Sequence, residues 1–478
     1  MLRSIHASRV ATLVADFPRA PAYAGLADAL AAVIGDGRIP LDTRLPSERE
    51  LTQALGVSRT TVTRAYAALR EAGYARSRRG SGTFARVPGG HSRVLDRALV
   101  PRADAEPVID LNCAAPSAPP GVAQAYAEAV TELPPYLAGH GYFPAGLPRL
   151  QQAIAAGYAA RGLPTDPDQI MVTPGALSAA SIVAHALTGP GDRVLVESPV
   201  YPNATDALRR TGARLRPTPV DPDGWDLDAT TALLRQTAPR LAYLIPDFQN
   251  PTGHLMTDSQ REQYAGALRR TRTIPIVDEA HQALPLDGQP MPRPFAAHAH
   301  DAVTIGSASK GFWGGLRIGW VRAPHALMER LTHTRVSMDL GAPVLEQLVL
   351  VRLLADSEHL LQANRARLRE QRDALVAAVG DRLPEWRFRT PTGGLALWCR
   401  LPDPVATEVA AEAEEHGVIV APGPVFAVEG GLHRFLRIPW TRPADELAAA
   451  VDVLAQAWST VRSRPGRDAN RRHRVMVA

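Results

Sequence analysis

Gly306-Ser307-Ala308-Ser309-Lys310-Gly311-Phe312-Trp313-Gly314-Gly315-Leu316-Arg317 is the stretch on which the fold turns, because Lys310 is the only lysine among 478 residues. The other 52 basic side chains (53 Lys and Arg, less this one) are arginines. Arginine stays protonated and is a poor nucleophile, whereas a lysine amine can lose its proton and attack a carbonyl. Ser307 and Ser309 place hydroxyls just before the amine, and Arg317 follows it. That arrangement is expected of a Schiff-base lysine beside a phosphate, and it suggests pyridoxal 5′-phosphate (PLP) as cofactor.

On either side of this stretch, short apolar runs alternate with helix-like segments. Strands are expected at 170–172, 193–197, 241–245, 274–278 and 303–305. Strands separated by helical segments imply a mostly parallel sheet covered on both faces, with ligand groups at the carboxyl ends of the strands. Gly175, Ala176 and Leu177 open a helix after the first of these strands and offer free backbone N–H groups to an anion. Such a turn alone is a common structural feature. Ser307, Ser309 and Arg317 can complete a phosphate cup. Tyr201, in Glu197-Ser-Pro-Val-Tyr201, either stacks on a flat ring or fills a core. Asn250, in Asp247-Phe-Gln-Asn250-Pro-Thr-Gly253, is placed to hydrogen-bond a phenolic oxygen. Asp278 ends an apolar run, where a carboxylate can pair with a protonated pyridine nitrogen.

The N-terminal end is built differently. Residues 1–100 carry 15 arginines against 8 acids, a balance of +7 in a chain whose net charge is +5, so the remainder sums to −2. A basic module on a near-neutral body suits a nucleic-acid reader. Leu26, Leu30, Val33 and Ile34 recur at helical spacing in a first helix over 23–36. Ser47 caps a second helix that carries Arg49. Ser58, after the Gly56-Val57 turn, caps a third helix over 59–72. Its buried stripe is Val62, Tyr66 and Leu69, which leaves Arg59, Thr60, Thr61, Thr63 and Arg64 near the exposed first half. Two helices on a tight turn, the second opening with arginine and hydroxyls, suit insertion into a major groove of double-stranded DNA. Two short strands around Arg78-Arg79-Gly80 would make a wing along the backbone or minor groove.

The remaining composition bounds the class. No apolar run approaches the roughly 20 residues that span a bilayer, and no export signal is evident at the N-terminus. Cys113 and Cys399 lack metal-ligand spacing and fit a structural role in a reducing cytoplasm. The expected domains are 1–86 for the DNA reader, 87–108 for a flexible Pro/Gly/Arg-rich linker, and 109–460 for the α/β domain. Residues 461–478 form a basic, Pro/Gly-interrupted tail.

LPSERELTQALGVSRTTVTRAYAALREAGY with RRGSGTF resembles the winged helix-turn-helix domain of the GntR family. The resemblance implies operator contacts at Arg49, Arg59, Thr60 and Thr61, with wing-tip contacts at Arg79 and Gly80; Thr63 stands where the family often has another basic residue. Over about 110–460 the ordered motifs resemble the fold-type I, aspartate aminotransferase-like PLP enzymes. By that match Lys310 forms the internal aldimine, Asp278 meets the ring nitrogen, Asn250 contacts the ring oxygen and Tyr201 stacks. Gly175, Ala176, Ser307, Ser309 and Arg317 would hold the phosphate. Tyr142 matches a tyrosine that reaches the phosphate from the partner subunit of a homodimer, and Arg437 matches the arginine that grips an amino acid's carboxylate.

There are departures from that pattern. Ala280 and His281 occupy the positions where the family usually has a tyrosine against the ring oxygen. His281 is either a substitute donor or an ordinary loop histidine, the second being the simpler expectation. Losing the phenol is expected to alter aldimine chemistry and weaken transamination rather than cofactor binding. Leu177 replaces a frequent polar residue.

The two halves together resemble the MocR subgroup of bacterial transcription regulators, in which PLP, sometimes with an amino compound, alters how a dimer engages operator repeats. That implies a PLP-dependent regulator that senses an effector through the Lys310 aldimine. The alternatives are a working aminotransferase, or a DNA-binding protein with an empty cofactor fold. Subgroup members that sense γ-aminobutyrate carry an arginine two residues after the stacking tyrosine. Asn203 stands there in this chain, so PLP itself or an α-amino acid held by Arg437 is the favoured effector class.

Overall fold

The computed structural model describes residues 4–35, 39, 43–78, 81–86, 108–220 and 224–463. They fall into two compact units, one formed by the described residues within 1–97 and 118–134 and the other by those within 98–117 and 135–478.

In the first unit, helices α1 (Ala7–Leu13), α2 (Ala22–Gly35), α3 (Glu48–Leu55) and α4 (Arg59–Glu71) precede the hairpin β1 (Ala75–Arg78) and β2 (Gly82–Ala85). Ser47 starts α3 through a capping box, accepting from the Glu50 N–H while the Glu50 carboxylate accepts from the Ser47 N–H. Gly56 ends it at φ 64°, a left-handed turn that glycine adopts without steric cost. Ser58 then accepts from the Thr61 N–H at 3.0 Å and starts α4. Val62, Ala65, Tyr66 and Leu69 of α4 are buried with Leu26, Leu30 and Leu51, and the Tyr66 hydroxyl donates to the Pro46 carbonyl at 2.8 Å. The hairpin pairs Ala75 with Ala85 through Arg78 with Gly82, which makes the expected wing; its tip, Arg79 and Gly80, lies outside the described residues. Helix α1 went unread in the sequence: it packs on α3, and Ile5 ahead of it donates to the Arg44 carbonyl at 3.1 Å. Helix α5 (Val122–Glu132) packs against α2 in this unit.

The second unit begins with β3 (Ile109–Asp110) and holds a seven-stranded sheet. Its strands are β4 (Ile170–Thr173), β5 (Arg193–Ser198), β6 (Arg214–Pro219), β7 (Leu241–Leu244), β8 (Ile274–Asp278), β9 (Val303–Ser307) and β10 (Gly319–Arg322), in the order β4-β10-β9-β8-β7-β5-β6. All neighbours run parallel except β10, which is antiparallel to both β4 and β9. The five strands expected from the sequence are present within two residues at each end. β6 and β10 were missed.

The chain then forms β11 (Ala396–Arg400), β12 (Val418–Ile419), β13 (Ala421–Pro422) and β14 (Phe435–Pro439). β11, β14 and β13 make a small antiparallel sheet, and β12 pairs with β3. β11, β12 and β14 share an apolar core with the last helix, Ala444–Ser463. Val461 is buried in that core, so the helix extends past the expected boundary at 460. The rest of the expected tail, and residues 87–107 of the linker, lie outside the described residues.

Candidate functional site

The parallel strands end at one edge, and the α/β candidates, apart from Tyr142, lie there or on elements bonded to it. β9 ends at Ser307, and the turn after it carries Ser309 and Lys310, whose Nζ donates to the Ala114 carbonyl at 2.7 Å. Burial pushes the Lys310 ammonium below its ordinary value, with Arg437 and Arg317 pushing the same way against Cys113 and Asp278. A lysine so placed surrenders its proton more readily and becomes a better nucleophile.

Asp278 closes β8. Its Oδ2 accepts from the Tyr243 hydroxyl at 2.5 Å and its Oδ1 from the Ala280 N–H at 2.9 Å. A carboxylate has about four acceptor positions, so capacity remains for a further N–H. Tyr243 was missed because a tyrosine inside an apolar strand reads as core.

Asn250 Oδ1 accepts from Arg437 Nη1 at 3.1 Å, which leaves the amide Nδ2 without a partner among the described residues. Arg437 also donates from Nη2 to the Asn112 carbonyl, lies 4.8 Å over the Phe426 ring, and has a buried Nε with no partner among the described residues. Burial lowers its guanidinium to about 10, so it stays charged at neutral pH. Asn112 and Ala114, whose carbonyls meet the two cations, were not singled out in the sequence; backbone acceptors leave no compositional signal.

Around the expected phosphate position, Gly175 has φ 100° and the helix Ala176–Leu187 starts with no side-chain cap. Its first N–H groups are therefore available to an anion. Arg317 Nη2 donates to the Pro174 carbonyl at 3.1 Å. A Cβ on Gly175 would sit 2.7 Å from that Nη2, and one on Gly319 would sit 2.5 Å from the Gly175 carbonyl carbon. Only glycines allow the two turns to approach this closely. Ser307 Oγ accepts from the Ser309 N–H at 3.2 Å. Leu177 is 39% exposed and offers only its backbone.

Tyr201 is partly buried, and its hydroxyl accepts from Asn203 Nδ2 at 2.9 Å. Position 203 thus serves the stacking candidate rather than presenting a cation. Glu197, fully buried behind it, accepts from Trp225, Ile245 N and Gln249; burial pushes its carboxyl up to about 7 against those donors. Tyr142 is 57% exposed and stacks on His140; none of the bonds above reaches it within one protomer.

His281 departs from both expectations. It is 7% exposed, and Nδ1 lies 3.0 Å from the Phe248 carbonyl. A carbonyl only accepts, so Nδ1 carries the proton and is occupied. His281 is neither an ordinary loop histidine nor a free donor. Burial and Lys310 lower it to about 4, so the ring is neutral near pH 7.

In the helix-turn-helix, Arg49, Arg59 and Thr60 are exposed. The Ser47 and Ser58 hydroxyls are committed to capping α3 and α4, and Thr61 Oγ1 lies 2.8 Å from Ser58 Oγ. Thr63 donates to Glu48 at 2.7 Å and ties α4 to α3. The Arg64 guanidinium lies 3.7 Å over the Tyr23 ring.

Residues 22–85 match the profile of bacterial regulatory proteins of the GntR family, and residues 121–454 match that of aminotransferase class I and II. The HTH-type transcriptional regulator YdcR of Escherichia coli is 30% identical over 451 residues, covering 87% of this chain and 94% of that protein. The probable rhizopine catabolism regulatory protein MocR of Rhizobium meliloti is 31% identical over 397 residues, covering 77% and 78%. Among solved structures, LysN, the α-aminoadipate aminotransferase of Thermus thermophilus complexed with N-(5′-phosphopyridoxyl)-L-leucine, is 28% identical with a TM-score of 0.68. That match covers 74% of this chain and 92% of LysN. The chain belongs to the class I and II aminotransferase family, in the MocR subgroup that joins this fold to a GntR helix-turn-helix. The cofactor of that fold family is PLP. The uncapped helix, the glycine-only approach, the buried amine and the Asp278 carboxylate fit its phosphate, aldehyde and pyridine nitrogen in turn.

Proposed function

We propose that this protein is a PLP-dependent transcription regulator that binds operator DNA as a homodimer and senses PLP or an α-amino compound at Lys310. One juxtaposition carries the proposal. A nucleophilic amine stands among Asp278, Asn250 and Arg437, in a chain that also presents Arg49, Arg59 and Thr60 at the exposed start of a helix-turn-helix.

When bound, the cofactor supplies an aldehyde that an amine can capture and a ring that withdraws electrons. Lys310 would hold it covalently, and Asp278 would keep a proton on the ring nitrogen. Gly175, Ala176, Ser307, Ser309 and Arg317 would hold the phosphate, joined by Tyr142 of the partner. Tyr201 would cover the ring, and Arg437 would receive an effector carboxylate with paired hydrogen bonds. Arg49, Arg59, Thr60 and Thr61 would meet the operator. Coupling between the two sites of a few kcal/mol suffices to change operator affinity several-fold to a hundredfold.

The second reading, an active aminotransferase, is favoured by the 2-aminoadipate transaminase of Thermus thermophilus. That enzyme is 30% identical over 323 residues, covering 64% of this chain and 81% of its own length. One experiment separates the two. Purified protein is titrated with operator DNA with and without PLP, and assayed in parallel for amino-acid turnover with a keto acid. Operator binding that PLP changes, without multiple turnovers, supports the regulator. Sustained turnover with PLP-independent DNA binding overturns it.

A further inference from the structure

Asn250 and His281 border one narrow crevice together with Ala114, the residue whose carbonyl receives Lys310. Their hydrogen-bonding roles are opposite and fixed. Arg437 only donates, so it holds the Asn250 oxygen toward itself and leaves the Nδ2 donor on the other side of the amide. The Phe248 carbonyl occupies Nδ1–H of His281, so the neutral imidazole can only accept at Nε2, which has no partner among the described residues. The anchor is rigid: Phe248 is 1% exposed, held at φ 48°, and a Cβ on Gly393 would meet its ring at 2.4 Å. A non-glycine residue in the left-handed region persists only where its surroundings hold it.

A donor beside an acceptor complements a group that both accepts and donates, which a hydroxyl does and an oxyanion does not. We propose that Asn250 and His281 hold the ring hydroxyl of the bound cofactor in its neutral O–H form, with Asn250 donating to the oxygen and His281 Nε2 accepting from the hydroxyl. This rests on the PLP reading above. The charged groups bearing on His281 are Lys310, Arg437 and Asp247. Burial, with the Arg437 cation that remains when Lys310 holds the cofactor, favours an unprotonated imidazole and so preserves its acceptor role. His281 is thus a positioning residue that sets the protonation state of the ring oxygen. A tyrosine at this position would donate instead and favour the oxyanion.

The test uses the full-length protein loaded with PLP. The neutral-hydroxyl and ionised forms absorb in separate bands, near-ultraviolet and yellow, and retained PLP is quantified independently after alkaline release. The neutral band should dominate in the wild type near pH 7. His281→Tyr should shift the band ratio toward the yellow form by about tenfold, one pKa unit at the hydroxyl. His281→Gln, whose side-chain oxygen can accept, should return toward wild type, and His281→Phe should fall between. If His281→Tyr does not fold, the Gln and Phe variants carry the comparison. Equal band ratios in all variants with PLP retained would overturn the inference and leave the cofactor reading standing. Failure of the wild type to take up PLP would overturn both.

Discussion

Removing the Arg261 guanidinium should loosen the loop that carries Asn250 more than any surface change could. Arg261 is fully buried, and its Nη2 meets Asp247 Oδ1 at 2.7 Å. Its Nε donates to the Met256 carbonyl and its Nη1 to the Arg293 carbonyl, each at 3.0 Å. Asp247 is three residues before Asn250, so the pair fixes the start of that turn. Arg261→Met removes one partner of a buried ion pair, at about 3–5 kcal/mol, because Asp247 is left charged in a dry site. The two carbonyls add about 1 kcal/mol each. The double variant Asp247→Asn/Arg261→Met removes the stranded charge and should recover about 2–3 kcal/mol of the loss. The assay is urea unfolding at fixed protein concentration, followed by tryptophan fluorescence and by PLP absorbance. The PLP signal should fall first, since the damage lies at the site. An Arg261→Met midpoint within about 1 kcal/mol of wild type, or a double variant no better than the single, would refute this account of the pair.

Arg59→Ala should weaken operator binding by about 1–3 kcal/mol if Arg59 reads a base, with PLP absorbance unchanged; equal affinity in the variant would remove Arg59 from the recognition surface. Lys310→Arg keeps the charge but not the nucleophile, so borohydride should trap PLP on the wild type and not on the variant. His281 contributes a pH dependence whose sign follows from its lowered value. The unfolded ring takes a proton below about 6.5 and the folded one only below about 4. Between those limits the unfolded state binds more protons, so stability is complete above the upper limit and falls as pH drops, by a total of order 3 kcal/mol. Urea midpoints for wild type and His281→Gln at pH 7 and pH 5 should show the wild type losing stability relative to the variant as pH falls; a difference that does not change with pH would refute the lowered value.

The sequence made the sheet edge legible and left its underside dark. β5, β7, β8 and β9 are short apolar runs ending in a polar residue or a turn, so both their identity and the position of Asp278 and Lys310 could be read. β10 could not, because Gly-Trp-Val-Arg has neither length nor alternation, and its reversed direction is set by pairing rather than by composition. The small C-terminal sheet escaped for a similar reason: β13, like β12 beside it in the chain, is only two residues long. Helix α1 buries only Val10 along its own length, too little apolar contrast to announce a helix. The role of His281 depends on a backbone carbonyl 33 residues away, which no local pattern encodes.

The reversal of β10 matters beyond topology. Gly319 is registered opposite Thr173 on one side and Ser307 on the other. The two turns that cradle the anion are thus locked to each other by main-chain ladders, independently of whichever side chains line the pocket. Substitutions at the ring oxygen or effector end can accumulate without loosening the phosphate anchor. A scaffold of this kind can trade catalytic competence for signalling while keeping its grip on the same small molecule.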